Sequence, residues 1–182
     1  YELPIGWAWQ RLGSIGYSQT GGTPKKSNPE HYGTDIPFIK PADISDRGMN
    51  YNNQGLSIEG TNCLGREAPE NSILMVCSGT IGKCQLIDRK CAFNQQINSI
   101  SPYVDIGEYI LNVCRAKYFY NTAWDLSSST TIAILNKGKW DTIPVAIAPI
   151  EEQQRIVDKV DELMVLCDQL ESQTESSLEA HE

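Results

Sequence analysis

Residues 149–170 read PIEEQQRIVDKVDELMVLCDQL and predict a long helix near the carboxyl end of this chain. Pro149 ends the preceding segment, and Glu151 and Glu152 place negative charge where a first helical turn presents unpaired N–H groups. The apolar residues then recur at steps of four and three, which keeps them on one side of a helix. This apolar stripe consists of Ile156, Val160, Leu163, Cys167 and Leu170.

Two interpretations of the apolar stripe remain open. The helix could pack along a second helix in a coiled coil, or it could fold back onto its own domain. If the helix runs from Glu151 to about Leu178, its length is roughly 40 Å, which exceeds one turn of B-DNA at roughly 34 Å. Beyond Leu170 the next positions of the stripe are Thr174 and Ser177, so its apolar character fades there.

Length and composition favour one globular domain followed by this helix. The chain has 182 residues, and its hydrophobic content of 40% argues against disorder. The longest apolar runs, such as residues 143–148, are far too short to cross a bilayer. We therefore expect a soluble, cytoplasmic protein. Because the sequence begins with Tyr1 rather than Met and has no apolar leader, we also expect it to derive from a longer chain.

The net charge of −8 is concentrated in the helix. Residues 1–149 contain thirteen Lys and Arg and thirteen Asp and Glu, whereas residues 150–182 contain two basic and ten acidic residues. A neutral globular part can present local basic loops to phosphate, while an acidic helix faces protein or solvent. The overall charge therefore does not argue against a nucleic-acid partner.

The cysteines and histidines do not have the spacing of a metal site. No two of the six cysteines are spaced as zinc ligands usually are, and His31 and His181 are the only histidines. We predict small buried thiols, surface histidines and no metal site. The cysteines are Cys63, Cys77, Cys84, Cys91, Cys114 and Cys167.

The order of secondary structure predicts an α+β fold. Residues 36–40 and 143–148 read as strands, and residues 109–124 read as a helix with Ile110, Val113 and Cys114 on one side, followed on that side by Lys117 and Tyr118. Two alternating runs, residues 72–77 and 83–87, are separated by a glycine-containing turn and predict a hairpin. Residues 20–29 are rich in Gly and Pro and predict a loop.

Two motifs suggest catalysis, but only weakly. Residues 79–83 resemble a phosphate-binding loop, yet only two residues separate the glycines and a cysteine stands where a magnesium-binding hydroxyl is needed. Asp88 and Lys90 have the acid-x-Lys form of metal-dependent nucleases, with Glu67 or Glu70 as the further carboxylate. The sequence has no glycine-rich methyltransferase cofactor loop. A nuclease therefore remains one alternative, and a protein-interaction module that acts through the acidic helix remains another.

Polar and basic side chains recur in the loops and suit the reading of DNA. Lys and Arg can donate to phosphate and guanine, and Asn or Gln can bond adenine with two hydrogen bonds. The candidate DNA-binding residues are Thr23, Lys25, Lys26, Ser27, Lys40, Arg47, Ser78, Thr80, Lys83, Asn94, Gln95, Gln96, residues 127–131, Lys137 and Lys139.

The amino-acid sequence of the chain resembles that of the specificity subunit of type I restriction-modification enzymes. The resemblance runs in order along nearly the whole chain. It is carried by LPIGWAW at residues 3–9, LG at 12–13, GGTP at 21–24, DIPFIKPADI at 35–44, SGTIGK at 78–83, NQ at 94–95, IPV at 143–145 and the helix at 149–170.

This resemblance implies an organisation and a set of partners. Residues 1–148 would form a DNA target-recognition domain and residues 149–182 a spacer helix that forms a coiled coil. The chain would itself be non-catalytic, with no cofactor of its own, and would read one half of a bipartite double-stranded DNA site. Its partners would be methyltransferase subunits that bind S-adenosylmethionine, a restriction subunit that uses ATP and Mg²⁺, and a second recognition unit in the same chain or in a homodimer. A homodimer would have a palindromic split target.

Overall fold

The computed structural model describes residues 2–128 and 131–179, within which the chain forms twelve strands and five helices. The strands are β1 (Ala8–Arg11), β2 (Gly16–Thr20), β3 (Tyr32–Ile39), β4 (Ile44–Ser45), β5 (Gly48–Met49), β6 (Gly55–Leu56), β7 (Glu67–Ala68), β8 (Ile73–Val76), β9 (Cys84–Leu86), β10 (Cys91–Phe93), β11 (Ile97–Pro102) and β12 (Pro144–Ile147). The helices are α1 (Ile58–Leu64), α2 (Gly107–Arg115), α3 (Lys117–Leu126), α4 (Lys137–Asp141) and α5 (Ile150–Glu179). The predicted α+β class is confirmed.

Two four-stranded sheets form the centre of the globular part. The first has the order β2-β11-β8-β9 and is antiparallel throughout. The second has the order β6-β3-β10-β7, in which β3 and β10 are parallel and the two outer pairings are antiparallel. The predicted hairpin of residues 72–87 is confirmed as β8 and β9, and the Val76 amide donates to the Lys83 carbonyl at 2.8 Å.

Strand β8 is buried on both faces and separates two hydrophobic cores. Its four residues are all inaccessible to solvent. Ile73 and Met75 belong to the larger core, together with α2, α3 and Trp140, whereas Leu74 and Val76 belong to the smaller core beside β10. Because successive side chains of a strand point to opposite faces, one short apolar run contributes to both cores.

The helix predicted for residues 109–124 is interrupted. Ala116 adopts an extended conformation (φ −63°, ψ 139°), which ends α2 and begins α3 in a new direction. Phe119 and Ala123 of α3 are buried as a result, whereas Lys117 and Tyr118 are exposed instead of continuing the face of Ile110 and Cys114. The prediction of one continuous helix was wrong because a single extended residue changes the face that is buried.

Helix α5 is packed against the domain only at its beginning. Gln153 and Val157 are buried, and the Gln153 amide donates to the Ala148 carbonyl at 2.8 Å. Trp7 holds the same turn through a hydrogen bond from its indole N–H to Glu152 at 3.1 Å. From residue 161 to residue 174 every side chain is exposed. The interpretation that the helix folds back onto its domain therefore holds for its first turns, and the coiled coil stays a prediction for the exposed residues 161–174.

The cysteines and histidines only partly follow the prediction. Four thiols are buried, but Cys63 and Cys167 are exposed. His31 was predicted at the surface and is in fact 8% exposed, because its backbone packs against α1, where Gly60 leaves room for it. His181 lies outside the described residues. Among residues 2–128 and 131–179, no helix combines the length and apolar character that crossing a membrane would require.

Candidate nucleic-acid interface

Five strand ends meet at one edge of the globular part. The ends of β2, β3, β8 and β10 lie beside the beginning of β11. Backbone N–H groups that directly follow these four strands donate hydrogen bonds to carbonyl oxygens at the neighbouring strand ends. Gly21 donates to Ile97 at 3.0 Å, Gly22 to Phe93 at 2.9 Å, Asn94 to Ile39 at 3.0 Å and Cys77 to Gln96 at 2.7 Å. We call this surface the loop edge; it comprises residues 21–28, 40, 78 and 94–96.

The turn between β10 and β11 is held rigidly at the loop edge. Asn94 is buried, its amide N–H₂ donates to the Gln96 side chain at 3.1 Å, and its carbonyl oxygen accepts the Gln96 amide at 3.0 Å. Gln95 between them is exposed, and the Thr23 hydroxyl donates to its side-chain oxygen. Of the three predicted amides, Gln95 is therefore the one most available to a ligand.

Gly21 allows the Thr23 loop to lie against this turn. A Cβ atom at Gly21 would lie 2.2 Å from the carbonyl oxygens of both Phe93 and Asn94, which no side chain tolerates. The loop is also held by the Tyr32 hydroxyl, which donates to the Pro24 carbonyl at 2.9 Å. The absence of a side chain at Gly21 thus allows the backbone of the Thr23 loop to approach the backbone of residues 93 and 94 closely.

The three lysines of the loop edge are exposed. Lys25 and Lys26 follow the Thr23 loop, and among the described residues no carboxylate lies within 4 Å of either ammonium group. Lys40 follows β3, and its backbone amide donates to the buried Asp43 carboxylate at 2.8 Å. Asp43 also accepts a hydrogen bond from Asn53. The buried Asp43 carboxylate therefore fixes the backbone from which Lys40 projects. Ser27 is exposed beside Lys25 and Lys26.

Arg66 is a cation of this region that the sequence analysis missed. It follows α1 and donates from Nη1 to the carbonyl oxygens of Thr20 and Gly21, each at 3.0 Å. Together with Gln19 and Lys137 it lines a cleft of about 360 Å³. Lys137 is also paired with Asp141 four residues on. No motif in the sequence singles out Arg66, since its proximity to Thr20 depends on folding.

Three of the predicted DNA-binding residues lie beside helix α5. Thr80 and Lys83 line a groove of about 980 Å³ beside α5, together with Val160 and Met164. Arg47 at the tip of the β4–β5 hairpin lies 3.8 Å from Glu171 of α5. Thr80 and Lys83 therefore line the groove and Arg47 lies at α5, although Ser78, two residues before Thr80, belongs to the loop edge.

Four of the remaining predicted loop residues have internal partners, namely Ser78, Ser127, Ser128 and Lys139. Ser78 is half-buried and forms a β-bridge with Ile134, which also bridges Ser128. Lys139 donates to the Leu126 carbonyl at 2.9 Å. Residues 129 and 130 of the predicted loop lie outside the described residues.

The residues of the nuclease alternative occupy the opposite end of β10. Lys90 lies 3.3 Å from Glu67, and Asp88 bonds to Arg89 at 2.8 Å, a contact that lowers the pKa of the Asp88 carboxyl. In the described part of the chain, no three His, Cys, Asp or Glu side chains lie close enough together to hold a metal ion. The glycine turn at 79–82 joins two antiparallel strands, whereas a nucleotide-binding loop leads into a helix.

The predicted helix interface is divided between two environments. Ile156 and Val160 are partly covered by the domain, whereas Leu163 and Leu170 are 49% and 63% exposed. Cys167 is exposed as well. The apolar stripe therefore begins on the domain and continues beyond it.

Comparison with known proteins gives a consistent result. The family model for the type I restriction modification DNA specificity domain matches residues 4–180. The type I restriction enzyme HindI specificity subunit of Haemophilus influenzae is 38% identical over 102 residues, which cover 55% of this chain and 22% of that protein. The type I restriction enzyme MjaIX specificity subunit of Methanocaldococcus jannaschii is 25% identical over 160 residues, which cover 85% of this chain and 37% of that protein.

A solved structure shares the fold. The crystal structure of the HsdS subunit from Thermoanaerobacter tengcongensis superposes with a TM-score of 0.72 at 21% identity, covering 94% of this chain and 40% of that chain. The present chain thus spans less than half the length of each of these three proteins.

Proposed function

The chain belongs to the type I restriction-modification DNA specificity family, and we propose that its globular part recognises a short sequence in double-stranded DNA, one half of a bipartite site, through the loop edge. The observation that carries this proposal is the meeting of five strand ends at one edge. There, Lys25, Lys26 and Lys40 are exposed beside Thr23 and Gln95. Rigid strands carrying exposed polar loops are a suitable scaffold for a precise binding surface.

The side chains of the loop edge divide by chemistry into two roles. The lysines would contact phosphate, which positions the protein and makes its affinity depend on salt. Gln95 has both a donor and an acceptor, and an amide of this kind can bond the edge of an adenine. Because the Thr23 hydroxyl occupies one lone pair of the Gln95 oxygen, the amide is oriented before DNA arrives.

The chain acts in this proposal as a binding component without catalysis or a cofactor of its own. The two candidate nuclease residues are engaged in ion pairs with neighbours. Methylation would come from methyltransferase subunits that bind S-adenosylmethionine, and cleavage from a restriction subunit that uses ATP and Mg²⁺, all in the cytoplasm.

Helix α5 would mediate the assembly. Its acidic, apolar distal half suits a protein partner rather than DNA. We assign to it contact with a second recognition unit, either in the same chain or in a homodimer.

Selection from a library of randomised duplexes at moderate salt tests the proposed reading of DNA. The chain is used alone and with a methyltransferase subunit, and we expect one short enriched motif. A variant with Gln95→Ala should lose preference at one position of that motif. Absence of enrichment under both conditions would refute the proposal.

A further inference from the structure

The Arg66 side chain lies directly beside the loop edge, although Arg66 is 45 positions further along the chain than Gly21. Its stem runs past Gly22, where a Cβ atom would lie 3.7 Å from the Arg66 Cδ atom. Its Nη1 atom donates to the carbonyl oxygens of Thr20 and Gly21, each at 3.0 Å. The guanidinium group is therefore attached to the backbone that leads into the Thr23 loop.

The backbone around Arg66 is fixed on both sides. Before it, Gly65 ends α1 in a left-handed conformation (φ 61°), and the Gly65 amide donates to the Thr61 carbonyl at 2.9 Å. After it, the Gln19 side-chain amide donates to the carbonyl oxygen of Glu67 at 2.6 Å. Because both the backbone and the guanidinium group are held, the donors of Arg66 point in a defined direction.

The guanidinium group keeps a pair of donors for a ligand. An arginine side chain has five N–H donors on three nitrogen atoms. Within residues 2–128 and 131–179, Nη1 has the two carbonyl partners, whereas Nε and Nη2 have no hydrogen-bond partner and no carboxylate lies within 4 Å. Arg66 is exposed and lines an open cleft of about 360 Å³. Nε and Nη2 therefore form a fork that matches two neighbouring acceptors.

Two neighbouring acceptors of this kind occur in DNA on phosphate and on guanine, which presents N7 and O6 in the major groove. A phosphate contact depends mainly on charge, and Lys25 and Lys26 supply charge on exposed side chains. The reading of a base depends instead on the direction of the donors, which is what the fixed guanidinium group of Arg66 provides. The geometry therefore favours guanine as the ligand of this fork.

We propose that Arg66 reads one guanine of the DNA half-site, with Nε and Nη2 donating to its N7 and O6 atoms while Nη1 keeps its hydrogen bonds to Thr20 and Gly21. This inference rests on the proposed recognition of DNA through the loop edge and assigns one base of the motif. Arg66 and Gln95 then read different positions, a guanine and an adenine. The lysines of the loop edge keep the role of contacting phosphate.

Arg66→Lys separates the reading of a base from charge and from packing. A lysine has one terminal nitrogen, which keeps the positive charge and can donate to both carbonyls but leaves no second donor for a base. In the library selection we expect this variant to lose the preference for guanine at one position by about tenfold or more, which is the discrimination that one bidentate contact supplies. The other positions, the salt dependence of binding and the midpoint of urea unfolding should stay unchanged.

Arg89→Lys is the matched control for this exchange. Arg89 is also an exposed arginine, but it lies before β10, at the end of that strand opposite the loop edge, and is paired with Asp88. The control should leave every position of the motif unchanged. A loss of guanine preference in both variants would show that the exchange acts without regard to position and would overturn the assignment to Arg66.

A modified base tests the same contact without a change in the protein. In 7-deazaguanine a carbon atom replaces N7, so one of the two acceptors is lost. When it replaces the selected guanine, the affinity of the original chain should fall about fivefold or more, because one hydrogen bond of the bidentate pair is lost. The Arg66→Lys variant should bind both duplexes equally, and 7-deazaguanine outside the motif should have no effect on either chain.

The outcomes distinguish this inference from the proposed function. If the motif contains no guanine, if Arg66→Lys enriches the same motif, or if the original chain binds both duplexes equally, the inference is overturned. DNA recognition by the loop edge still stands in that case, provided that Gln95→Ala loses preference at its own position. An Arg66→Gln variant with a shallower salt slope and an unchanged motif would assign Arg66 to phosphate instead. If the original chain enriches no motif, the inference and the proposed function both fail.

Discussion

Replacing Lys25 and Lys26 with alanine removes two exposed cations from the loop edge without disturbing a packed contact. Both side chains are exposed, and among the described residues neither has a carboxylate within 4 Å, so the variant loses no internal ion pair. The fold of the loop depends instead on Gly21 and on the hydrogen bond from Tyr32 to Pro24. We therefore expect the free energy of unfolding to remain unchanged within about 0.5 kcal/mol.

The expected effect on DNA binding follows from counterion release. Each phosphate neutralised by a cation contributes about −0.9 to the slope of log affinity against log salt concentration. If each lysine contacts one phosphate, the variant has a slope that is shallower by about 1.8. Between 50 mM and 200 mM salt the original chain should then lose about twelvefold more affinity than the variant.

Fluorescence anisotropy with a labelled duplex at several salt concentrations measures this slope. Arg89→Ala/Lys90→Ala is a matched control, because it also removes two positive charges but at the opposite end of β10, where both side chains are already paired with acids. Equal slopes for the original chain and the loop-edge variant would refute the assignment of these lysines to phosphate. A shallower slope in the control would show that net charge, and not position, controls binding.

Four further predictions concern the fold. In the folded chain Cys63 and Cys167 should react rapidly with a thiol reagent and the other cysteines only on unfolding. Burial raises the pKa of three buried thiols, Cys77, Cys84 and Cys91, from 9.0 to about 11 or 12. The stability that these neutral thiols contribute at neutral pH should therefore fall as the pH rises from 9 towards 12. Denaturant titrations at a series of pH values measure this loss. Gly21→Ala should destabilise the chain by about 1–3 kcal/mol in urea unfolding because two backbone carbonyls must move, whereas Gly138→Ala, whose Cβ would meet only one side-chain oxygen at 3.6 Å, should not. Trp140→Ala removes the largest fully buried side chain and should cost about 3–5 kcal/mol in the same assay, with an unchanged midpoint contradicting its place in the core.

The charge of the chain illustrates why regions must be treated separately. The formal net charge of −8 would argue against DNA, yet the acidic excess lies in residues 150–182, where α5 is exposed over most of its described length. At the loop edge the exposed ionisable side chains are three lysines. Over distances beyond roughly 10 Å, charges are largely screened at ordinary ionic strength, so local composition controls contact with phosphate.

The predicted DNA-binding set shows where reasoning from sequence ends. Thr23, Lys40 and Gln95 were grouped with Thr80 and Lys83 because all are polar residues in loops. The first three lie at the loop edge, while the last two lie in the groove beside α5. Residue type gave no means of separating them, because their positions depend on strands paired across long sequence distances, such as Thr20 with Asn98, 78 residues apart.

The sequence by itself determined the elements whose signals are local. The stripe of α5 follows from a period of 3.6 residues, and the β8–β9 hairpin follows from two apolar runs around a glycine turn. The tertiary structure alone decided the break at Ala116, the burial of His31, the place of Arg66 and the division of α5 into a packed base and an exposed distal half. Each of these depends on which distant surface covers a residue, and local periodicity carries no information about that surface.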